Sequence, residues 1–362
     1  MQVPSSARPL QGLRVIEMAG LGPCPLAGMM LADHGAEVLV IDRPGSPVLN
    51  TGTGLDRGKQ RACLDLKTPH GAAEARRLIE GADAVIEGFR PGVMERLGLG
   101  PAVFAAGHPR LVYGRVTGWG QTGPLAQAAG HDINYVAVTG VMSVASREGV
   151  APSIPATLIG DMGGGALLLA FGLMAALWDA QRTGRGRVVD AAMVDGVALM
   201  SSLLHSMRAA GLWPDTPSDN FFLHSSPFYD CFECADGRFV SLGALEPQFY
   251  AELLQRLGLQ DVDPAAQHDR RQWPALRERV AARLREKTRD EWTALLEGSN
   301  ACFAPVLTLA EAPHHPHALA RQAYQATAAG HWQPAAAPRF GLAPGGDGGI
   351  DPIGDDGAAR PA

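Results

Sequence analysis

The sequence predicts an α/β fold, with a large Rossmann-like domain built on a parallel sheet and a small α+β domain after it. Two observations carry this prediction. Short apolar runs rich in β-branched residues alternate with helical stretches through the first half of the chain, which is typical of a parallel sheet covered by helices. From residue 226 the pattern changes to two apolar runs around Ala235-Asp236-Gly237, which indicates a hairpin. The length of 362 residues leaves room for about two domains.

The first elements predict a β-α-β unit. Residues 13–18 and 37–41 suit buried strands, and a helical stretch lies between them at 24–34. The alternation continues with two more strands and their preceding helices, at residues 71–79, 84–86, 93–97 and 111–113. Ligands of such sheets bind beyond the carboxyl ends of the strands, so the loops at 19–23 and 42–44 are candidate binding loops.

A long helix is predicted to open at Asp161 and to run to Trp178. Its apolar run, residues 163–178, is about 16 residues long, which is short of the roughly 18 to 20 residues that cross a bilayer. We therefore expect a helix buried within the protein and no membrane insertion. A strand at 187–190 and a helix at 191–212 follow it.

These patterns divide the chain into five segments. The large domain takes residues 1–191 and a linker with a Pro- and Asp-rich stretch at 213–220 takes 192–222. The small α+β domain takes 223–302, a return linker takes 303–334, and residues 335–362 return to the large domain. The last stretch, 344–362, is rich in Gly, Asp and Pro and is predicted to be a flexible tail, because it has little apolar surface to bury.

Composition excludes several classes of function. With 31 basic and 37 acidic side chains the net charge is −6, so no overall positive field is present to hold nucleic acid. Five irregularly spaced cysteines are typical of reduced thiols, and the N-terminal residues lack the pattern of a secretory signal. We therefore expect a cytoplasmic protein with no nucleic-acid partner.

Cofactor motifs are absent from the expected places. No G-x-G-x-x-G follows the first strand, which disfavours a nicotinamide cofactor, and no Gly-rich loop ends in Gly-Lys-Ser or Gly-Lys-Thr. Cys231 and Cys234 form a lone C-x-x-C, and His314, His315 and His317 lie in a Pro-interrupted stretch. A structural zinc needs four ligands, and neither group supplies them, so no metal site is expected.

Two segments carry ionisable groups in promising places. His131 follows a Gly-rich loop and precedes an apolar helix, with Asp132 predicted as the cap of that helix. Asp161 is followed by three glycines, so the first turn of its helix is predicted to leave backbone N–H groups open to a substrate. Both residues also have a purely structural interpretation. His131 could be a histidine whose hydrogen bonds are all made within the protein, and Asp161 could only cap its helix.

Eight segments together resemble the family III CoA-transferase superfamily and, within it, the α-methylacyl-CoA racemases. They are LQGLRVIEM (10–18), AEVLVIDRPG (36–45), DRGK (56–59), GFRPGVMERLG (88–98), GWGQTGP (118–124), GHDINY (130–135), GDMGGG (160–165) and VVDAAMVDG (188–196). The resemblance extends from residue 10 to about residue 340. It implies the two-domain fold described above, with long linkers and two chains interlocked into a homodimer.

The resemblance implies an acyl-CoA thioester as substrate and inversion of the carbon next to the thioester by 1,1-proton transfer through an enolate. His131 and Asp161 match the two acid/base residues, and Glu246 matches a glutamate that hydrogen-bonds the imidazole from the partner chain. CoA is part of the substrate, so no cofactor is implied. The N–H groups at the start of the Asp161 helix are predicted to stabilise the enolate oxygen.

The same resemblance assigns residues to CoA. Arg43 is expected near the adenosine phosphate, Lys67, Arg90 and Arg96 near the other phosphates, and Asp132 and Tyr135 nearer the thioester. One alternative is a CoA-transferase that moves CoA between carboxylic acids, with Asp161 as the nucleophile. The other is a CoA-binding protein without chemistry.

Overall fold

The computed structural model describes residues 8–45, 54–145, 147, 149–327 and 329–341. These residues fall into two compact units. The large unit lies within Met1–Val141, Ile154–Ser201 and His317–Ala362, and the small unit takes Met142–Ser153 and Ser202–Pro316. The predicted tail at 344–362 lies outside the described residues.

The large unit is built on a parallel sheet, which confirms the predicted α/β class. The described part of this sheet has six strands in the order β3-β2-β1-β4-β5-β6, and every neighbouring pair is parallel. The strands are β1 (Arg14–Met18), β2 (Glu37–Asp42), β3 (Lys59–Cys63), β4 (Ala84–Glu87), β5 (Val112–Thr117) and β6 (Val188–Ala192). Strand β3 is not predicted from the sequence, because its residues, KQRAC, are mostly polar and lie at the sheet edge.

Helices cover both faces of this sheet. They are α1 (Pro23–Asp33), α2 (Pro69–Glu80), α3 (Val93–Arg96), α4 (Pro101–Phe104), α5 (Asp132–Ala137), α6 (Leu168–Thr183) and α7 (Met193–Met200). Successive residues of β1 serve opposite faces: Val15 packs in a core with α1 and α6, whereas Ile16 packs in a core with α2, α3 and α4. Burial on both faces explains the continuous apolar runs from which the strands are predicted.

The long helix begins earlier than predicted. A π-helical segment at Leu158–Leu167 precedes α6 without a break, so Asp161 is the fourth residue of the helix and not its first. The combined helix, Leu158–Thr183, is long and apolar enough to cross a membrane by length and composition alone, and one third of its most apolar window is buried. The expectation of a fully buried helix is wrong, because Phe171 and Trp178 are exposed on one face.

The small unit has an antiparallel sheet of three described strands in the order β7-β8-β9, and β7 and β8 form the predicted hairpin. Its elements are α8 (Ser202–Ala209), β7 (Tyr229–Glu233), β8 (Phe239–Gly243), α9 (Pro247–Leu257), α10 (Trp273–Leu284), α11 (Arg289–Leu296) and β9 (Phe303–Pro305). Its core combines leucines with large aromatic residues, among them Phe228, Tyr250, Trp273 and Trp292. The chain continues through α12 (Pro316–Ala320) into the short antiparallel pair β10 (Tyr324–Ala326) and β11 (Trp332–Pro334).

Candidate active site

A cavity of about 570 Å³ lies at the carboxyl ends of the central strands in the large unit. Its walls come from the segments that directly follow β1, β4 and β5, together with α5 and the π-helical segment. Polar and charged lining groups include Arg90, Thr117, His131, Asn134, Tyr135 and Asp161. The predicted loop at 19–23 contributes residues 21–23 to the lining, whereas the loop at 42–44 contributes none. Sheet topology therefore brings His131 and Asp161, which are 30 residues apart in the sequence, to one cavity.

His131 occupies the position that starts α5. It has extended backbone angles and is the N-cap residue, so the prediction that Asp132 is the cap is wrong and Asp132 is the first helical residue. The side chain of Asn134 accepts a hydrogen bond from the His131 N–H at 3.0 Å. The backbone that carries the imidazole is therefore fixed by a side chain of its own helix.

Asp161 lines the same cavity, close to the backbone of Gly22. A Cβ built on Gly22 would lie 3.2 Å from Asp161 Oδ2, and Gly22 has a φ of +71°, so this close approach requires glycine. Burial, and after it the charge of Asp132, raise the pKa of Asp161 to about 6, against the opposing effect of His131. A carboxyl group with this pKa exchanges a proton near neutral pH.

The Asp132 carboxylate is bound by backbone. Its Oδ1 accepts hydrogen bonds from the N–H groups of Gly160 at 2.6 Å and Asp161 at 2.8 Å, and Asp132 is not among the cavity-lining residues. The Met162 N–H donates to the Thr157 carbonyl. The prediction that the first N–H groups of this helix are open to a substrate is therefore wrong for these three groups, because each already has an acceptor.

Arg90 and Tyr135 line the same cavity, in keeping with their predicted proximity to a ligand. The Tyr135 hydroxyl donates to the Gly130 carbonyl, and its ring packs edge-to-face on Trp119 with 4.9 Å between centroids. Burial raises the pKa of Tyr135, and the charge of Asp161 adds to this effect. Tyr135 therefore lines the site as an uncharged side chain, packed between α5 and the loop after β5.

Four other predicted residues are not in the cavity lining. Arg43, Lys67 and Arg96 are exposed in the large unit, and their side chains do not belong to this lining. Glu246 belongs to the small unit, where it is the exposed N-cap residue of α9. Their predicted roles toward CoA and the imidazole stay predictions.

Sequence reasoning missed three residues that shape the site. Asn134 fixes His131, Trp119 walls the cavity, and Gly22 makes room for Asp161. Asn134 and Trp119 lie within the segments GHDINY and GWGQTGP, which carry the family resemblance. Nothing in the spacing of those segments shows that these two residues, and not their neighbours, shape the site. Among the described residues, no group of three or more His, Cys, Asp or Glu side chains is placed to hold a metal ion, and all five cysteines are free.

A second cavity, of about 600 Å³, lies at the opposite end of the sheet. Residues from the start of β1 and from α6 line it, including Leu10, Asp83, His108 and Trp178. His108 Nε2 is 2.6 Å from the Ala82 carbonyl oxygen and Asp83 accepts from the Arg14 N–H, so these two side chains already have backbone partners. It offers no pair of acid/base groups comparable to His131 and Asp161.

Comparison with known proteins gives consistent matches. The profile of CoA-transferase family III matches residues 10–348. Alpha-methylacyl-CoA racemase of Mus musculus is 44% identical over 315 residues, 87% of this chain and 82% of the mouse protein. The racemase of Homo sapiens is 44% identical over 308 residues, 85% of this chain and 80% of the human protein. The crystal structure of Rv3272 from M. tuberculosis superimposes with a TM-score of 0.75 at 28% identity, covering 92% of this chain and 93% of that one.

Proposed function

This chain belongs to CoA-transferase family III, and from that premise we propose that it is a racemase that interconverts (R)- and (S)-2-methylacyl-CoA thioesters. The observation that carries the proposal is the presence of His131 and Asp161 in one cavity, with the pKa of Asp161 raised to about 6. Inversion of a stereocentre needs one group that removes a proton and another that delivers one to the opposite face.

The reaction follows from this pair. One residue removes the α-proton, the electrons move into the thioester to form an enolate, and the other residue returns a proton to the opposite face of the carbon. Each group serves as base for one epimer and as acid for the other. The raised pKa of Asp161 suits this alternation, because a carboxyl group at its ordinary pKa of 3.8 holds almost no proton at pH 7.

The CoA part of the substrate is proposed to bind on the large unit. Arg90 lines the cavity and is the nearest candidate for a phosphate contact, and Arg43, Lys67 and Arg96 supply further exposed cations. Tyr135 is proposed to contact the acyl end. Glu246 of a second copy is proposed to orient the imidazole of His131. A cytoplasmic location stays a prediction from the free cysteines.

A homodimer is proposed because α6 presents an uncovered apolar face. Phe171 and Trp178 of α6 are exposed on one side, together with Leu167 just before the helix, whereas Leu169 and Leu173 on the other side are fully buried. A helix that is apolar all round is typical of one buried on every side, and exposed apolar patches mark interfaces. Light scattering should give twice the chain mass, and the double substitution Phe171→Asp, Trp178→Asp should give monomers. A monodisperse monomer for the parent protein would contradict this.

One experiment separates the racemase from the CoA-transferase. The purified protein is incubated with (R)-2-methylacyl-CoA in D2O without any free carboxylic acid, and proton NMR follows the α-proton and the configuration. We expect loss of the α-proton signal together with epimerisation. No exchange, with CoA transfer once a carboxylic acid is added, would overturn the proposal and make Asp161 a nucleophile.

A further inference from the structure

The carboxylate of Asp132 is directed at the backbone that carries Asp161. Its Oδ1 accepts from two successive N–H groups, those of Gly160 at 2.6 Å and Asp161 at 2.8 Å. Asp132 is only 7% exposed, so little solvent competes for these bonds. Charge-assisted hydrogen bonds of this kind are shorter and stronger than bonds between neutral groups.

Gly160 makes this contact possible. A Cβ at position 160 would lie 2.7 Å from Asp132 Oδ1 and 3.3 Å from the Asp132 carbonyl oxygen. The first distance is shorter than the contacts of real Cβ atoms and the second is tight, so glycine at this position lets α5 and the π-helical segment approach this closely. The glycine before Asp161 therefore serves the contact with Asp132, and not an open site for substrate.

We propose that Asp132 is a positioning residue for the reaction: its carboxylate fixes the backbone from which Asp161 reaches the cavity, and it places a negative charge beside that residue. This inference rests on the proposed racemase function. It replaces the predicted contact of the Asp132 side chain with the substrate by an action through Asp161. The segment that receives these hydrogen bonds is π-helical, and π-helical turns are rare and occur frequently at functional sites.

The charges around Asp161 agree with this role. The charge of Asp132 raises the pKa of Asp161, whereas His131 lowers it. The pKa of Tyr135 is in turn raised by the charge of Asp161 and lowered by that of Arg90. Burial is the largest cause of the increase in the pKa of Asp161, and the charge of Asp132 is the next. A neutral residue at position 132 should therefore leave Asp161 a stronger acid.

Two substitutions separate position from charge. Asp132→Asn keeps an oxygen that accepts from both N–H groups but removes the charge, whereas Asp132→Ala removes both. Asp83→Asn is the matched control, because Asp83 Oδ2 accepts from the Arg14 N–H at 2.8 Å near the start of β1, at the other end of the sheet from the cavity. Gly160→Ala should reproduce the Asp132→Ala phenotype by pushing the carboxylate away.

The first test is a titration that needs no turnover. Protein labelled with ¹³C at the aspartate carboxyl carbon is titrated by NMR, and the Asp161 signal is the one lost in Asp161→Asn. We expect the midpoint of Asp161 to move to lower pH in Asp132→Asn and to stay unchanged in Asp83→Asn. An unchanged midpoint in Asp132→Asn would overturn the inference about charge, whether or not the protein is a racemase.

The second test is kinetic. In Asp132→Asn the acidic limb of the pH profile of kcat/KM should move to lower pH, because Asp161 protonates later. In Asp132→Ala and Gly160→Ala, kcat should fall about 10²-fold with KM for the acyl-CoA changed by less than about threefold, since a misplaced base slows the chemical step. An increased KM at unchanged kcat would mean that Asp132 binds substrate and would overturn the inference.

Failure of the two proposals can be told apart. If the parent protein exchanges no α-proton, the racemase function fails, and the NMR midpoints still decide the coupling between Asp132 and Asp161. If the parent protein racemises and Asp132→Asn shows neither the moved midpoint nor the moved limb, only the coupling fails. Asp132→Asn is nearly isosteric with the parent residue, so the test holds even if Asp132→Ala does not fold.

Discussion

Two aspartates, one in each unit, show that neighbouring groups and not burial alone decide how a carboxyl group titrates. Asp230 in the small unit has a completely buried side chain, and burial acts to raise its pKa. Hydrogen bonds from Arg147, His224 and the Cys231 N–H, together with the charge of Arg277, outweigh burial and lower that pKa.

Asp161 in the large unit is only half-buried, and yet its pKa is raised to about 6. Among the described residues, no arginine or lysine forms an ion pair with it, and its neighbours include the second carboxylate of Asp132. The small unit thus uses a carboxylate for structure by surrounding it with cations. In the large unit, no such cations pair with Asp161, and its carboxyl group can therefore gain and lose a proton.

The largest expected effect is on racemisation. Asp161→Asn should lower the rate of inversion by about 10²- to 10⁴-fold, because the amide neither accepts nor donates the transferred proton. Asp230→Asn should leave inversion largely intact in the folded fraction. Polarimetry with purified variants checks both. Equal losses in the two variants would remove the distinction between the two aspartates.

Stability should show the reverse order. Asp230→Asn leaves Arg147, Arg277 and His224 without their common anion, and we expect a loss of about 3 kcal/mol in the free energy of unfolding. Urea unfolding at pH 7 measures it. The matched variant Asp161→Asn should not be destabilised, and a larger loss there than in Asp230→Asn would contradict the comparison.

The pH dependence of stability should differ in sign between the two residues. The folded-state pKa of Asp161 lies near 6, above its ordinary 3.8, so the folded state binds more protons between these values and Asp161 lowers stability as the pH rises through them. Asp161→Asn should therefore be more stable than the parent at pH 8, with the advantage gone below about pH 4.

For Asp230 the folded-state pKa is lowered, so its stabilising effect is present above the ordinary pKa and is lost as the pH falls through the folded-state value. The penalty of Asp230→Asn should accordingly shrink at strongly acidic pH. Thermal unfolding of the parent and both variants from about pH 2 to pH 8 checks these trends. Parallel curves for the three proteins would contradict them.

The smallest effect is expected at the edge of the Asp230 cluster. Arg147 makes two hydrogen bonds to Asp230, at 2.6 and 3.1 Å, but its side chain is 42% exposed and Asp230 keeps Arg277 and His224. Arg147→Ala should cost about 1 kcal/mol. Urea unfolding against Arg279→Ala, an exposed ion pair with Asp261 in the same unit, provides the control.

The parallel sheet, its order of elements and the hairpin of the small unit were predictable from local patterns. Buried strands read as apolar runs, and the turn at Asp236-Gly237 is visible in the residues themselves. Strand β3 was not predictable, because its pairing with β2 at the sheet edge depends on backbone hydrogen bonds and not on apolar residues.

The candidate site was predictable as a set of residues and not as a geometry. Resemblance pointed to His131 and Asp161, and the cavity contains both. The partners of Asp132 were not predictable, because its bonds to Gly160 and Asp161 cross 28 and 29 residues of sequence and depend on how two helices approach each other. Because the two helices lie this close, the N–H groups of Gly160 and Asp161 bind the Asp132 carboxylate, which the sequence near residue 160 does not indicate.

The central claim is that two bases on opposite sides of the α-carbon share the reaction, and exchange in the single-base variants tests it most directly. His131→Ala and Asp161→Asn are each incubated in D2O with the pure (R)- and the pure (S)-thioester, and NMR follows loss of the α-proton. We predict that each variant exchanges the α-proton of one epimer only, the two variants prefer opposite epimers, and neither inverts configuration. Exchange of both epimers with inversion in either variant would contradict the claim.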